Sequence, residues 1–216
     1  MPIRYVLFDH DGTLMSTLGV RSRALELAVA ELTGRQINGE AIFAETHGQS
    51  LAGLSQMLTE GSDVTPEAMV DAYRAHYYVQ NQAGIDPYEG IEETLNGLRS
   101  RGIAMAVVTS KLHRGAKEEL EGAGLAGFFG RIVGADDVTE HKPNAEPLLQ
   151  AMNAISAVPA QTLMVGDTMA DLGGARAAGT KSGAALWDSQ DEAELRAAQP
   201  DYLLTDPREI LRLLDD

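Results

Sequence analysis

The chain has 216 residues, 44% of them hydrophobic and 23% charged, with 32 acidic against 17 basic side chains and a formal charge of −15. That length suits one domain, or one domain with a modest insertion, and lets folding bury roughly 70% of the unfolded surface without staples. The acidic balance excludes a nucleic-acid partner, which needs a positive field, and the absence of cysteine excludes disulfides and thiolate metal sites.

From the N-terminus, Met1-Pro2-Ile3-Arg4 leads directly into a strand-like run, not into a charged segment followed by an apolar leader. No apolar run approaches the ~18 residues needed to span a bilayer. The expectation is a soluble, cytoplasmic protein with no membrane partner. The first run, Ile3–Phe8, reads as a buried strand and ends in Asp9-His10-Asp11-Gly12-Thr13. The stretch from about Ser16 to Asp86 then shows helical spacing throughout. One stripe is Val20, Ala24, Leu27, Ala28 and Leu32, and a second is Leu51, Leu54 and Leu58. A third helix starts at Thr65-Pro66, an N-cap followed by proline in the first turn, with Met69, Ala72, Tyr73 and Tyr77 on one face.

After "PYEG" the pattern changes to short apolar runs separated by helices. Strand-like runs are expected at Ile103–Thr109, Arg131–Val133, Thr162–Val165, Ser182–Trp187 and, more weakly, Tyr202–Leu204. A helix with Ile91, Leu95 and Leu98 on one face precedes the first of these. Another, with Leu112, Ala116 and Leu120, follows it and ends at Gly124. Alternating strands and helices predict an α/β fold with a doubly wound parallel sheet. The expected organisation is a core of 1–15 and 87–216 with a helical insertion of 16–86 between the first and second strands.

In open α/β sheets, ligands bind beyond the carboxyl ends of the strands. Those ends carry Asp9 and Asp11 on the first strand, Thr109, Ser110 and Lys111 in "VVTSK", Lys142 in "DDVTEHKPNAEP", and Asp167 and Asp171 in "MVGDTMAD". Clustered carboxylates repel unless a cation relieves them, and an oxygen-rich set without cysteine selects a hard ion such as Mg²⁺. Carboxylates and Mg²⁺ beside a lysine and a threonine make a site for a phosphoryl group. One aspartate can then act as nucleophile while the other protonates the leaving oxygen and later activates water. The plainer alternatives are a solvated turn for Asp9 and Asp11, a strand end for Thr109, a helix start for Lys142 and a helix N-terminal charge for Asp171. "LGGARAAG" reads as close helix packing, not a phosphate cradle.

DxDGT at 9–13, Thr109, Lys142 and GDxxxD at 166–171, in that order, resemble the motifs of the haloacid dehalogenase superfamily of aspartate-nucleophile phosphotransferases. The resemblance covers nearly the whole chain and implies a Rossmann-like core with an α-helical cap. It implies Asp9 as nucleophile and Asp11 as acid/base. Thr109 and the Ser110 N–H would hold phosphoryl oxygens, and Lys142 would neutralise Asp9 and the phosphate. The metal would bind Asp9, Asp167 and the Asp11 carbonyl, with Asp171 supporting the metal or Lys142. Asp11 is the residue that separates phosphate chemistry from the metal-independent dehalogenases. The second half looks like the phosphoglycolate phosphatase and pyrophosphatase branch, although Met15-Ser16 replaces the common "xDS" and "KPNAEP" lacks the second proline of KPxPEP.

The implied activity is Mg²⁺-dependent hydrolysis of a small phosphorylated metabolite, phosphoglycolate-like, through an aspartyl-phosphate. Pyrophosphate hydrolysis, a sugar-phosphate mutase of the beta-phosphoglucomutase kind, and a phosphate-responsive binding protein are the alternatives. A monomer and a dimer are equally compatible with the sequence. In the helical segment, Thr46-His47-Gly48-Gln49-Ser50 is a polar break where His47 and Gln49 could read the substrate; an ordinary helix–helix turn is the alternative. His113 and Arg114 could meet an anionic leaving group or simply start a solvated helix. Tyr73, Tyr77 and Tyr78 read as packing.

Overall fold

The computed structural model describes residues 1–46, 50–81, 84–189 and 192–214. By its internal contacts the chain divides into two compact units, Met1–Ser16 with Ile85–Asp216, and Thr17–Gly84.

The first unit is built on a six-stranded sheet of β1 (Tyr5–Phe8), β2 (Ala104–Val108), β3 (Arg131–Val133), β4 (Thr162–Gly166), β5 (Lys181–Ala185) and β6 (Tyr202–Leu204). Every neighbouring pair is parallel, in the order β3-β2-β1-β4-β5-β6. The six apolar runs of the sequence are these six strands, trimmed at their ends. Ile3 and Ile103 lie just before β1 and β2, yet both are buried. An apolar run reports burial, and the core extends past the last ladder hydrogen bond. The order reverses at β1, which pairs with β2 through Phe8↔Val107 and with β4 through Phe8↔Val165. The carboxyl ends of these three strands therefore emerge level, at the switch point where doubly wound sheets bind ligands.

The second unit is helical, with α1 (Leu18–Thr33), α2 (Gly39–Glu45), α3 (Leu51–Thr59) and α4 (Pro66–Gln80). Thr65 caps α4 as its sequence suggests, accepting a hydrogen bond from Ala68 N at 3.2 Å. The core of this unit contains Ala24, Leu25, Ala28, Val29, Leu54, Leu58, Met69 and Tyr73. Two expectations need correction. The buried stripe of α1 runs through Ala24, Leu25, Ala28 and Val29, so it is turned away from Val20 and Leu27, which are half-buried. Packing against both α2 and α4 selects the face, and spacing alone allows either. The short α2 was not expected; Asn38 starts it by accepting from Ala41 N at 3.0 Å, and one or two turns are too short to show a period.

The sheet is covered on both faces, which is why its strands are apolar throughout. Covering helices include α5 (Ile91–Ser100), α6 (His113–Gly122), α7 (Glu146–Ala154) and α8 (Met169–Ala178). Leu7, Ala106, Val108 and Met164 face Leu148, Ala151 and Ala175 of α7 and α8 in one buried cluster. The glycines of "LGGARAAG" serve this packing: a Cβ at Gly173 would stand 2.6 Å from Pro143 Cβ.

The two crossings between the units are paired within the first. Met15 bridges Pro87 in antiparallel fashion, Ser16 N donates to Asp86 O at 3.0 Å, and Tyr88 N donates to Leu14 O at 3.0 Å. The Tyr88 hydroxyl donates to Asp188 Oδ2 at 2.6 Å. Burial, and then this carboxylate, raise the Tyr88 pKa well above the ordinary phenol value.

Candidate active site at the head of the parallel sheet

The ladder carries β1 one residue further, with Asp9 N donating to Val165 O at 2.9 Å. The chain then folds back on itself: Leu14 N and Met15 N both donate to His10 O, at 3.0 and 2.9 Å. Gly12 closes this turn with φ +76°, in the left-handed region that favours glycine. Space demands glycine as well, because a Cβ there would stand 2.2 Å from Asp167 Oδ2. The next residue fixes the same carboxylate, with Thr13 Oγ1 donating to Asp167 Oδ1 at 2.9 Å. The loop after β1 thus cradles the aspartate at the end of β4.

Asp9 points into a second cluster. Its Oδ1 accepts from His10 N at 2.7 Å and lies 3.1 Å from Lys142 Nζ. That ammonium also donates to Asp171 Oδ1 at 2.6 Å and to Val108 O at 2.9 Å. The other oxygen of Asp171 accepts from Thr168 N at 3.1 Å and Thr168 Oγ1 at 2.6 Å, so Asp171 caps α8 and holds Lys142 together. Burial first, and then repulsion from Asp171, push the Asp9 pKa up to about 6 against the pull of Lys142 and the His10 N–H. Burial works against the Lys142 ammonium, but Asp171 and Asp9 more than offset it and raise its pKa.

Asp9, Asp167 and Asp171 bring carboxylate oxygens within 4.8 Å of one another. Three carboxylates face a single ammonium there, and the protein donors are all oxygen, which fits a hard divalent cation. Asp171 is already committed to Lys142 and Thr168, so Asp9 and Asp167 are the pair placed to hold such an ion.

Asp11 turns away from this group. Its Oδ1 accepts from Lys111 Nζ at 2.9 Å, and the same ammonium donates to Glu119 Oε2 at 2.8 Å. At the end of β2, Thr109 is buried and its Oγ1 accepts from Lys111 N at 3.1 Å, while Ser110 is exposed. His47 and Gln49 lie outside the described residues. His113 is held by Asp137, Nδ1 to Oδ2 at 2.6 Å, and Tyr73 and Tyr77 stack at 5.9 Å between ring centroids.

Several partners escaped the sequence reading. Glu119 lies on the inward face of α6 beside Ala116 and Leu120, and an acid within an apolar stripe is the signal that could have marked it. Lys111 was visible at the strand end without a partner to give it a role. The loop after β5 had no signal, yet Trp187 Nε1 donates to Thr13 O at 3.2 Å and Ser189 Oγ to Asp167 O at 2.9 Å.

Residues 6–185 match the model of the haloacid dehalogenase-like hydrolases. The chain belongs to this family. Among haloacid dehalogenase-like relatives, a phosphoglycolate phosphatase of Aquifex aeolicus is 34% identical over 214 residues, covering 99% of this chain and 98% of its own. A pyrophosphatase PpaX of Halalkalibacterium halodurans is 36% identical over 215 residues, covering 99% and 98%. A solved haloacid dehalogenase-like hydrolase from Streptococcus pneumoniae superposes with a TM-score of 0.83 at 25% identity, covering 97% of each chain. The doubly wound core of this family is the fold seen here. Among the described residues, no helix is long and apolar enough to cross a membrane.

Proposed function

We propose that this chain is a Mg²⁺-dependent phosphatase of a small phosphorylated metabolite, a phosphoglycolate-like monoester. The observation that carries the reading is Asp9 at the sheet switch point, 3.1 Å from Lys142 Nζ, with Asp167 beside it and Asp11 two residues on.

Asp9 Oδ1 is taken by two donors, which leaves Oδ2 to attack phosphorus. The new Asp9–phosphate bond forms as the ester P–O bond breaks, and Asp11 gives its proton to the departing alkoxide. Asp11, now a carboxylate, takes a proton from water as that water attacks phosphorus; the aspartyl-phosphate bond breaks and phosphate leaves. Thr109 Oγ1 and the Ser110 N–H would hold phosphoryl oxygens, and Lys142 would neutralise charge on the transferring group. Mg²⁺, bound by Asp9, Asp167 and the Asp11 carbonyl, would supply electrostatic stabilisation of the phosphoryl oxygens. Asp171 serves by holding Lys142. Pyrophosphate is the second reading, supported by the 36% identity to a pyrophosphatase.

The test is phosphate release, with and without Mg²⁺, from phosphoglycolate, pyrophosphate, sugar phosphates and nucleotides. One preferred substrate that requires Mg²⁺ is the expected result. Phosphate moved between positions of a sugar without net release would replace the reading with a mutase. Absence of Mg²⁺-dependent turnover on every compound would favour a phosphate-responsive binding protein.

Gly12→Ala tests the cradle around Asp167. The added Cβ meets Asp167 Oδ2 at 2.2 Å on a backbone already at φ +76°, so the carboxylate must move. Mg²⁺ affinity, measured by titration calorimetry, is expected to fall roughly 10- to 100-fold, as when partners that orient metal ligands are lost. Unchanged affinity would remove Asp167 from the metal site.

A further inference from the structure

Lys111, Glu119 and His10 lie around Asp11, with Lys111 pairing both carboxylates. Lys111 Nζ bridges Asp11 Oδ1 at 2.9 Å and Glu119 Oε2 at 2.8 Å. His10 stands across from it, Nδ1 3.4 Å from Asp11 Oδ1 and Nε2 3.5 Å from Glu119 Oε2. His10 is fully buried and the Glu119 side chain is 2% exposed. Burying a carboxylate on the inner face of a helix is costly unless it is paired, so Glu119 needs Lys111 and in turn confines it.

We infer that Lys111, held by Glu119, is a positioning residue that sets the Asp11 carboxyl for proton transfer to the leaving group. The inference rests on the phosphatase reading and deepens it. Both ends of Lys111 are fixed: its N donates to Thr109 Oγ1 at 3.1 Å, and its O accepts from Ala135 N at 2.8 Å. Gly115 leaves room for the stem, since a Cβ there would touch Lys111 Cγ and Cδ at 3.7 Å. An ammonium has only donors. With Lys111 donating to Asp11 Oδ1 at 2.9 Å and itself confined by Glu119 Oε2 at 2.8 Å, one orientation of the Asp11 carboxyl is selected.

The test compares Lys111→Met, Lys111→Arg and Glu119→Gln with wild type in single-turnover release of the leaving group, using the full chain with Mg²⁺. An alkyl phosphate needs protonation of its alkoxide, whereas 2,4-dinitrophenolate departs without it. Lys111→Met is expected to slow alkyl release about 100-fold and dinitrophenolate release less than about threefold, the range for loss of one general acid. KM should stay within about threefold. Glu119→Gln, too buried to touch substrate, should show the same selectivity at smaller size, and Lys111→Arg should recover part of the alkyl rate. Equal loss on both substrates, or a raised KM with kcat unchanged, would overturn the positioning role while leaving the phosphatase reading intact. Failure of the wild type to turn over either substrate would overturn both.

Discussion

Asp9→Asn is expected to abolish Mg²⁺-dependent phosphate release, by about 10⁴-fold or more, while making the metal-free protein more stable at neutral pH. The kinetic half follows from the proposed role, since removal of a nucleophile leaves only binding and electrostatic effects behind. The stability half follows from the site itself. Burial and Asp171 push the Asp9 pKa from 3.8 to about 6. A carboxyl raised on folding binds more protons in the native than in the unfolded chain between those two values. Its contribution to stability therefore falls as pH rises through that window, and the full penalty applies above it. The shift corresponds to a penalty on the order of 3 kcal/mol, at 1.36 kcal/mol per unit. Asparagine keeps the shape and can accept from His10 N without the charge. Thermal melts in EDTA at pH 7.5 should show Asp9→Asn several degrees above wild type, with the gain shrinking toward pH 4.5. Added Mg²⁺ should raise the wild-type melting temperature and leave the variant nearly unmoved. A variant no more stable than wild type in EDTA would mean that the buried carboxylate is relieved by its neighbours.

Lys142→Met should be the most damaging single change to the fold of the site. It strands Asp171, fully buried in the first turn of α8, and removes the ammonium that donates to Val108 O. Breaking one partner of a buried pair costs about 3–5 kcal/mol, or roughly 10 °C in a chain of this size. Loss of the charge opposite the transferring phosphoryl group should lower kcat by about 10³-fold in addition. The double variant Lys142→Met with Asp171→Asn separates these effects: stability should return in part, because Asp171 no longer carries a stranded charge and only Asp9 has lost its ammonium, while activity should not. Recovery of turnover in the double variant would reduce Lys142 to a structural counter-ion.

The sequence by itself determined the α/β class, the six strand positions, the helical segment between the first two, and the order of the four motifs. Each is a local property. Fully buried parallel strands are continuous apolar runs, Thr65-Pro66 caps its own helix, and Asp9 to Thr13 form one turn whose residues are neighbours along the chain. The family followed from the order of such local signals. What only the tertiary structure decided lies across long separations. The strand order 3-2-1-4-5-6 places the ends of β1 and β4 side by side, and from that come Thr13 on Asp167, 154 positions apart, and Lys142 on Asp171, 29 apart. Lys111 meets Asp11 across 100 positions, on an ammonium whose other partner is a buried glutamate eight residues on. No spacing rule reaches these pairs. Periodicity reports which face of an element is apolar, whereas charge pairing depends on where the sheet sets one element against another, and the choice of face on α1 went astray for the same reason.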